Sequence, residues 1–309
     1  MRQMRNSSNP MEEKYKLFLM TLPCIIFVAV FCYLPLWGWS YAFFNYKPGR
    51  KLLDCEFVAW KNFTRMFTNP VMRREFFRVL RNTFGMAGLN LICSVIPPVF
   101  AILINEIPSS KYRKVVQTVT TLPHFISWII MYSLMYYMLN PNTGFINQMA
   151  VKFGFLDEPV NFLLSKDHVW IQMKMFDLWK ELGWSSIVYL AAIVSIDQEL
   201  YEAAMIDGAG RIQRILYITV PGLTETFFVL LVITIGNFLN LGMEQYYVFK
   251  NAMNKGSIEV LDLFVYNQGI GSGQLSYATA MSTMKTVVAV TLFGGANLLS
   301  KKIRGTSVF

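Results

Sequence analysis

Glu202-Ala203-Ala204-Met205-Ile206-Asp207-Gly208-Ala209-Gly210, followed after residues 211–217 by Ile218-Thr219-Val220-Pro221, is the polar stretch on which the reading of this chain turns. Leu200, Ala203, Ala204 and Asp207 recur at helical spacing, and Gly208 and Gly210 supply the backbone freedom that ends a helix, so the pattern predicts a short helix, a glycine break and a second helix. Pro221 stands where the chain re-enters an apolar run. Small Ala-Ala side chains permit close approach of a partner, and Glu202 and Asp207 offer anionic anchors to Arg or Lys. That shape suits docking; it also describes a plain amphipathic connector between two membrane spans.

Outward from this stretch the chain is apolar. Hydrophobic residues are 54% of the 309 and charged residues only 15%, where a soluble domain has roughly a quarter charged. Aromatics at 15% and 18 Met fit helices that end in Trp and Tyr at headgroup level. A helix needs about 20 apolar residues to cross the hydrocarbon, because its backbone groups must be satisfied internally. Six segments come near this. Residues 17–44, 82–105 and 115–139 are free of Asp, Glu, Lys and Arg. Residues 182–196 are short and must be extended back through Asp177, Lys180 and Glu181, whose spacing allows partial pairing near the interface. Residues 218–241 carry Glu225 in the first turns, and 277–299 carry Lys285. The expectation is an all-α integral membrane protein: one six-helix membrane domain over 17–300, with tails at 1–16 and 301–309.

Six crossings put both termini on one side. The tails with connections 106–114 and 197–214 hold twelve Lys and Arg, yet 47–78 on the opposite face holds eight, so counting alone leaves orientation open. The short basic tails and the 106–114 connection, the kind of segment for which the rule is strongest, favour a cytoplasmic assignment. The net charge of +9 is spread between apolar runs, with no stripe interleaved with aromatics, which speaks for lipid headgroups and against nucleic acid. The uncharged run 17–46 is too long for the core of a cleavable signal and reads as a retained span. Cys24, Cys32 and Cys93 fall in apolar runs and Cys55 in a polar loop, without metal-ligand spacing, and His124 and His168 lie far apart with no nearby Cys, so no metal site is expected.

The positions Glu202, Ala203, Ala204, Gly208, Ile218 and Pro221 stand at the spacing Glu-Ala-Ala, three residues, Gly, nine residues, Ile, one residue, a hydrophobic residue, Pro. This resembles the signature loop of binding-protein-dependent ABC permeases, with Val220 where Leu is usual. Leu122-Pro123-His124-Phe125-Ile126-Ser127-Trp128, Asp177-Leu178-Trp179-Lys180, Gly183-Trp184, Gly242-Met243-Glu244-Gln245 and Lys301-Lys302-Ile303 resemble the carbohydrate branch, most of all its MalF-like oligosaccharide and polysaccharide permeases of the LplB type. The resemblance implies a type I ABC importer permease fold in the bacterial cell membrane. It also implies a second homologous permease, two cytoplasmic ATPase subunits that use ATP and Mg, an extracellular solute-binding lipoprotein, and no cofactor in this chain. The signature loop is cytoplasmic in that family, which places both termini in the cytoplasm. Glu202, Ala203, Ala204, Asp207, Gly208, Ala209, Ile218 and Pro221 would then form the ATPase-coupling segment near 200–210.

A sugar pathway needs aromatic faces with amides and carboxylates. Trp184, Tyr189, Asn237, Asn240, Glu244 and Gln245 are such groups at or near membrane depth, though each also suits helix packing or interface anchoring. Lys285 either faces the pathway, pairs with a carboxylate of the partner permease, or snorkels. The polar segment 45–78 is expected to pack on the outer surface, partly as amphipathic helix, and to meet the binding protein. No GxxxxGK[ST], HExxH or GxSxG pattern occurs, so no enzyme activity is expected and ATP hydrolysis falls to other subunits. The alternatives are an ion-coupled secondary transporter, which would show inverted repeats and midplane carboxylates, and an ABC permease for a solute other than sugar.

Overall fold

The computed structural model describes residues 10–304, so the outer parts of both expected tails, 1–9 and 305–309, lie outside the described residues. The helices follow in order: α1 (Pro10–Val28), α2 (Lys61–Thr68), α3 (Pro70–Cys93), α4 (Ile96–Asn105), α5 (Ser110–Thr121), α6 (Trp128–Leu139), α7 (Phe145–Lys152), α8 (Val169–Val194), α9 (Gln198–Ile206), α10 (Arg211–Arg214), α11 (Val220–Gly236), α12 (Glu244–Phe249), α13 (Lys255–Ile258), α14 (Leu261–Tyr266) and α15 (Leu275–Arg304). Among the described residues the only β feature is an isolated antiparallel bridge between Phe44 and Phe57. The chain divides into two compact units, 1–65 with 268–283 and 66–267 with 284–309.

In the first unit α1 passes into a π-turn at Ala29–Tyr33 and a 3₁₀ stretch at Leu34–Phe43. Pro23 and Pro35 explain the loosened winding, since each removes an N–H donor from the helix ladder. The segment Lys14–Phe43 is 30 residues long and exposes its apolar side chains, as a helix facing lipid does. Beyond it Asn62 donates its Nδ2 to Ala42 O at 2.8 Å and Phe44 O at 3.1 Å, which folds the polar 45–60 segment back on itself.

The second unit carries the functional elements. Asn69 caps α3 by accepting from the backbone N–H of Val71 and Met72. Helices α3 and α4 form one 36-residue segment, Pro70–Asn105. The apolar run 82–105 lies within it, and the helix itself begins earlier, at Pro70, through a polar stretch that carries Arg73, Arg74, Arg78 and Arg81. The expected span 115–139 is not straight: the segment to Phe125 and α6 meet at 105°. Pro123 lacks the donor that would continue α5, and Ser127 starts α6 by accepting from Ile130 N. The helix in the expected span 218–241 ends at Gly236.

Among the described residues three segments are long and apolar enough to cross a membrane, Lys14–Phe43, Pro70–Asn105 and Arg211–Gly236, or four if the bent pair is one span. Helices α8 and α15, of 26 and 30 residues, have the length, but Lys174, Asp177, Lys180 and Glu181 in the first and Lys285 in the second dilute their apolar character. One core gathers Met86, Met131, Met173, Phe176, Tyr246, Phe249 and Leu263 from α3, α6, α8, α12 and α14. A second joins Ala101, Tyr189, Ile193 and Leu223 from α4, α8 and α11.

Candidate coupling loop and translocation cleft

Helix α9 is a preformed knob. Asp197 Oδ1 accepts from Glu199 N at 3.0 Å and caps its start. Its end is a Schellman closure: Gly208, at φ +79°, donates N–H to Met205 O at 3.1 Å, and Ala209 N–H reaches Ala204 O at 2.8 Å. Gly208 is required by that left-handed backbone. Gly210 N then donates to Gln213 Oε1 at 2.7 Å, starting α10. Tyr201 OH and Thr219 Oγ1, 2.9 Å apart, tie α9 to the π-turn Ile215–Thr219 that leads into α11. Arg211 pairs with Glu106, which fastens α10 to the end of α4.

On this framework Glu202, Ala203, Asp207 and Gly208 are exposed and Ala204 and Ala209 half-buried. Ile206 is 87% exposed, and Leu200 and Met205 are exposed beside it. Ile218 is half-buried in the π-turn and Pro221 sits exposed in the first turn of α11. The segment thus presents an apolar tip flanked by two carboxylates on a rigid cap.

The pathway candidates separate into groups. Trp184 and Tyr189 line one open cleft of about 430 Å³ between α3, α4, α8 and α11, together with Asn90, Glu181 and Thr234. Asn237 and Asn240 line another, of about 270 Å³, with Thr286 and Phe293; Ile233 borders both. Glu244 is exposed in the first turn of α12. Gln245 is buried, its Nε2 donating to Met173 O at 2.7 Å, so it clamps α12 to α8. Lys285 pairs within its own chain with Asp262 of α14, whose other oxygen accepts from Gly242 N at 3.0 Å.

Around the cleft stands a cluster that sequence reasoning left without a role. His124 Nδ1 lies 2.7 Å from Glu181 Oε2, and its ring stacks on Trp184. Lys180, 6% exposed, donates its Nζ to His124 O at 2.6 Å and Glu181 Oε1 at 3.0 Å, and lies over the Trp128 ring. Lys180 and Glu181 of α8 therefore serve the break between α5 and α6. In a separate cluster Glu259, 2% exposed, accepts from Arg78 Nη2 and Asn267 Nδ2, both at 2.6 Å, while Asn82 Nδ2 reaches Gly256 O and Glu259 O. For the first cluster the sequence signal was charge at the edge of an apolar run; Arg78, one of several arginines in its stretch, gave none for the second.

Long apolar helices, a largely apolar cleft that also carries Asn90, Glu181 and Thr234, and an exposed acidic knob beyond α8 are together what a membrane subunit of a transporter would carry. Residues 96–305 match the family described as "Binding-protein-dependent transport system inner membrane component", and the chain belongs to it. It is 39% identical to Protein LplB of Bacillus subtilis (strain 168), over 95% of this chain and 91% of that one. It is 40% identical to the polygalacturonan/rhamnogalacturonan transport system permease protein YteP of the same organism, over 96% and 91%. Among solved structures it is similar to a bacterial ABC transporter involved in the import of the acidic polysaccharide alginate, with TM-score 0.84, 34% identity and coverage of 96% and 98%. The alginate ABC transporter in complex with an alginate pentasaccharide-bound periplasmic protein gives TM-score 0.85 and 35% identity. The fold is thus the type I permease fold, and the chain is the permease component of an ABC importer.

Proposed function

We propose that this chain is one of two homologous permease subunits that form the pathway for an oligosaccharide or polysaccharide fragment, handed over by an extracellular binding lipoprotein and driven by two cytoplasmic ATPase subunits that hold the ATP and Mg. The observation that carries the reading is α9: an exposed Glu202–Gly208 knob with apolar tip Ile206, closed by Gly208 and braced to α4 and α11. Knob and membrane helices move as one body under this bracing, so motion of an ATPase gripping α9 passes directly into α8 and α11.

The relatives named for polygalacturonan, rhamnogalacturonan and alginate support a polysaccharide-derived cargo. In this reading the chain crosses the membrane six times, with the bent third span, α8 and α15 shielded by the second permease, and both termini are cytoplasmic. Trp184, Tyr189, Asn237 and Asn240 face the cargo, Glu244 stands at the outer end of the pathway, and Gln245 and Lys285 hold its wall in shape. The test is reconstitution of the chain with its second permease, ATPases and binding protein in proteoliposomes. Uptake of labelled oligosaccharide is expected only with ATP, and should fall more than about tenfold in Glu202→Lys. Uptake by this chain alone on an ion gradient would refute the reading.

A further inference from the structure

A third cavity, of about 400 Å³, lies where α4 ends, α5 begins and α8, α9 and α10 converge, with Glu106, Arg113, Gln198, Tyr201 and Arg214 among its polar walls and Val194 and Met205 among its apolar ones. Glu106 is the one carboxylate in that lining, and Arg211 engages it with both side chain and backbone contacts. Arg113 and Arg214 bring two guanidinium groups to the cavity lining. The Nε of Arg113 and the Nε of Arg214 are both buried without an acceptor among the described residues. The remaining contacts of Arg113 are long, 3.4 Å to Asn105 Oδ1 and 3.3 Å to Ile107 O. Buried guanidinium donors demand an anion, and their planar fork matches the oxygens of phosphate.

A groove of opposite character lies alongside. About 320 Å³ between α4 and α11 is walled by Val95, Val99, Ile102, Val220, Leu223 and Phe227 with almost no polar surface. It comes within one helical turn of the cavity, since Ile102 O accepts from Glu106 N, and Val220 follows Thr219, the partner of Tyr201. A cationic cavity beside an apolar trough at the end of a membrane helix has the two-part chemistry of a phospholipid.

We propose that this chain binds one anionic phospholipid here, its headgroup phosphate on Arg113 and Arg214 and an acyl chain in the α4–α11 groove. Because Gln198, Tyr201 and Met205 of α9 form the cavity wall, the lipid fixes the height of α9 against the membrane surface. Site and lipid stand independently of the cargo proposed above.

The test is lipid binding to the purified full-length chain in detergent, read by native mass spectrometry and by thermal unfolding. One phosphatidylglycerol is expected to be retained at least about tenfold better than phosphatidylcholine. Arg113→Gln with Arg214→Gln should abolish that preference, Arg214→Lys should keep most of it, and Val99→Trp, which fills the groove, should weaken lipid binding. Unchanged unfolding of each variant in lipid-free detergent verifies its fold. Equal retention of the two lipids, or a preference that survives the double Gln substitution, would overturn the proposal. Stabilisation by inorganic phosphate alone, with Val99→Trp silent, would also overturn it, by assigning the cavity to a free anion.

Discussion

The imidazole of His124 lies flat on the indole of Trp184, ring centroids 4.3 Å apart and planes 2° from parallel, while its Nδ1 stands 2.7 Å from Glu181 Oε2. The bend after α5 and the middle of α8 thereby form one plate that edges the larger cleft. His124→Ala removes both the stack and the carboxylate bond, and is expected to lower stability by about 1–3 kcal/mol, measured by thermal unfolding in detergent. Uptake in proteoliposomes should fall with it, whereas Trp184→Phe, which keeps an aromatic face, should be milder than Trp184→Ala.

Gly183 and Gly88 make a controlled pair. A Cβ on Gly183 would stand 2.1 Å from Thr120 O, a backbone atom that cannot step aside, while one on Gly88 meets nothing within 4 Å. Gly183→Ala is expected to destabilise by about 1–3 kcal/mol or to prevent folding. Gly88→Ala should be neutral or stabilising by about 0.5–1 kcal/mol, since it restricts the unfolded helix segment. Parallel thermal melts of the two variants check the contrast.

Arg78 holds Glu259 within the second unit. Truncating Arg78 to Ala leaves a carboxylate that is 2% exposed with Asn267 as its remaining side-chain partner. The expected loss is about 3–5 kcal/mol. Adding Glu259→Gln to Arg78→Ala should recover part of it, because no buried charge then remains; a double variant no more stable than the single one would count against the pairing as the cause.

Gly208 sits at φ +79°, a backbone that a side chain strains. Gly208→Ala is expected to cost about 1–2 kcal/mol locally and to loosen the α9 cap. Stimulated ATP hydrolysis in the assembled importer should then fall while binding of the sugar to the isolated binding protein stays unchanged. Gly256→Ala, with nothing within 4 Å and no positive φ, is the matched control.

Much of this molecule is written locally. The apolar runs, the helix caps at Asn69, Ser127 and Asp197, and the helix–glycine–helix form of 198–221 follow from neighbours a few residues apart, which is why α9 and its Gly208 closure stand where the pattern placed them. Span boundaries were less legible: α3 begins in a polar stretch ahead of its apolar run, and Pro123 turned an unbroken apolar run into two helices at 105°.

From the sequence alone came the membrane class, the family resemblance and the exposed knob, because helical periodicity and short-range capping act within one turn. The tertiary structure alone decided that Lys285 meets Asp262, that Glu181 reaches back to His124, and that Arg113 and Arg214 share one cavity. Those pairs lie 23 to 101 residues apart, and a buried charge in a helical bundle is satisfied by whichever neighbouring helix packs against it, a choice made by packing and not by spacing along the chain.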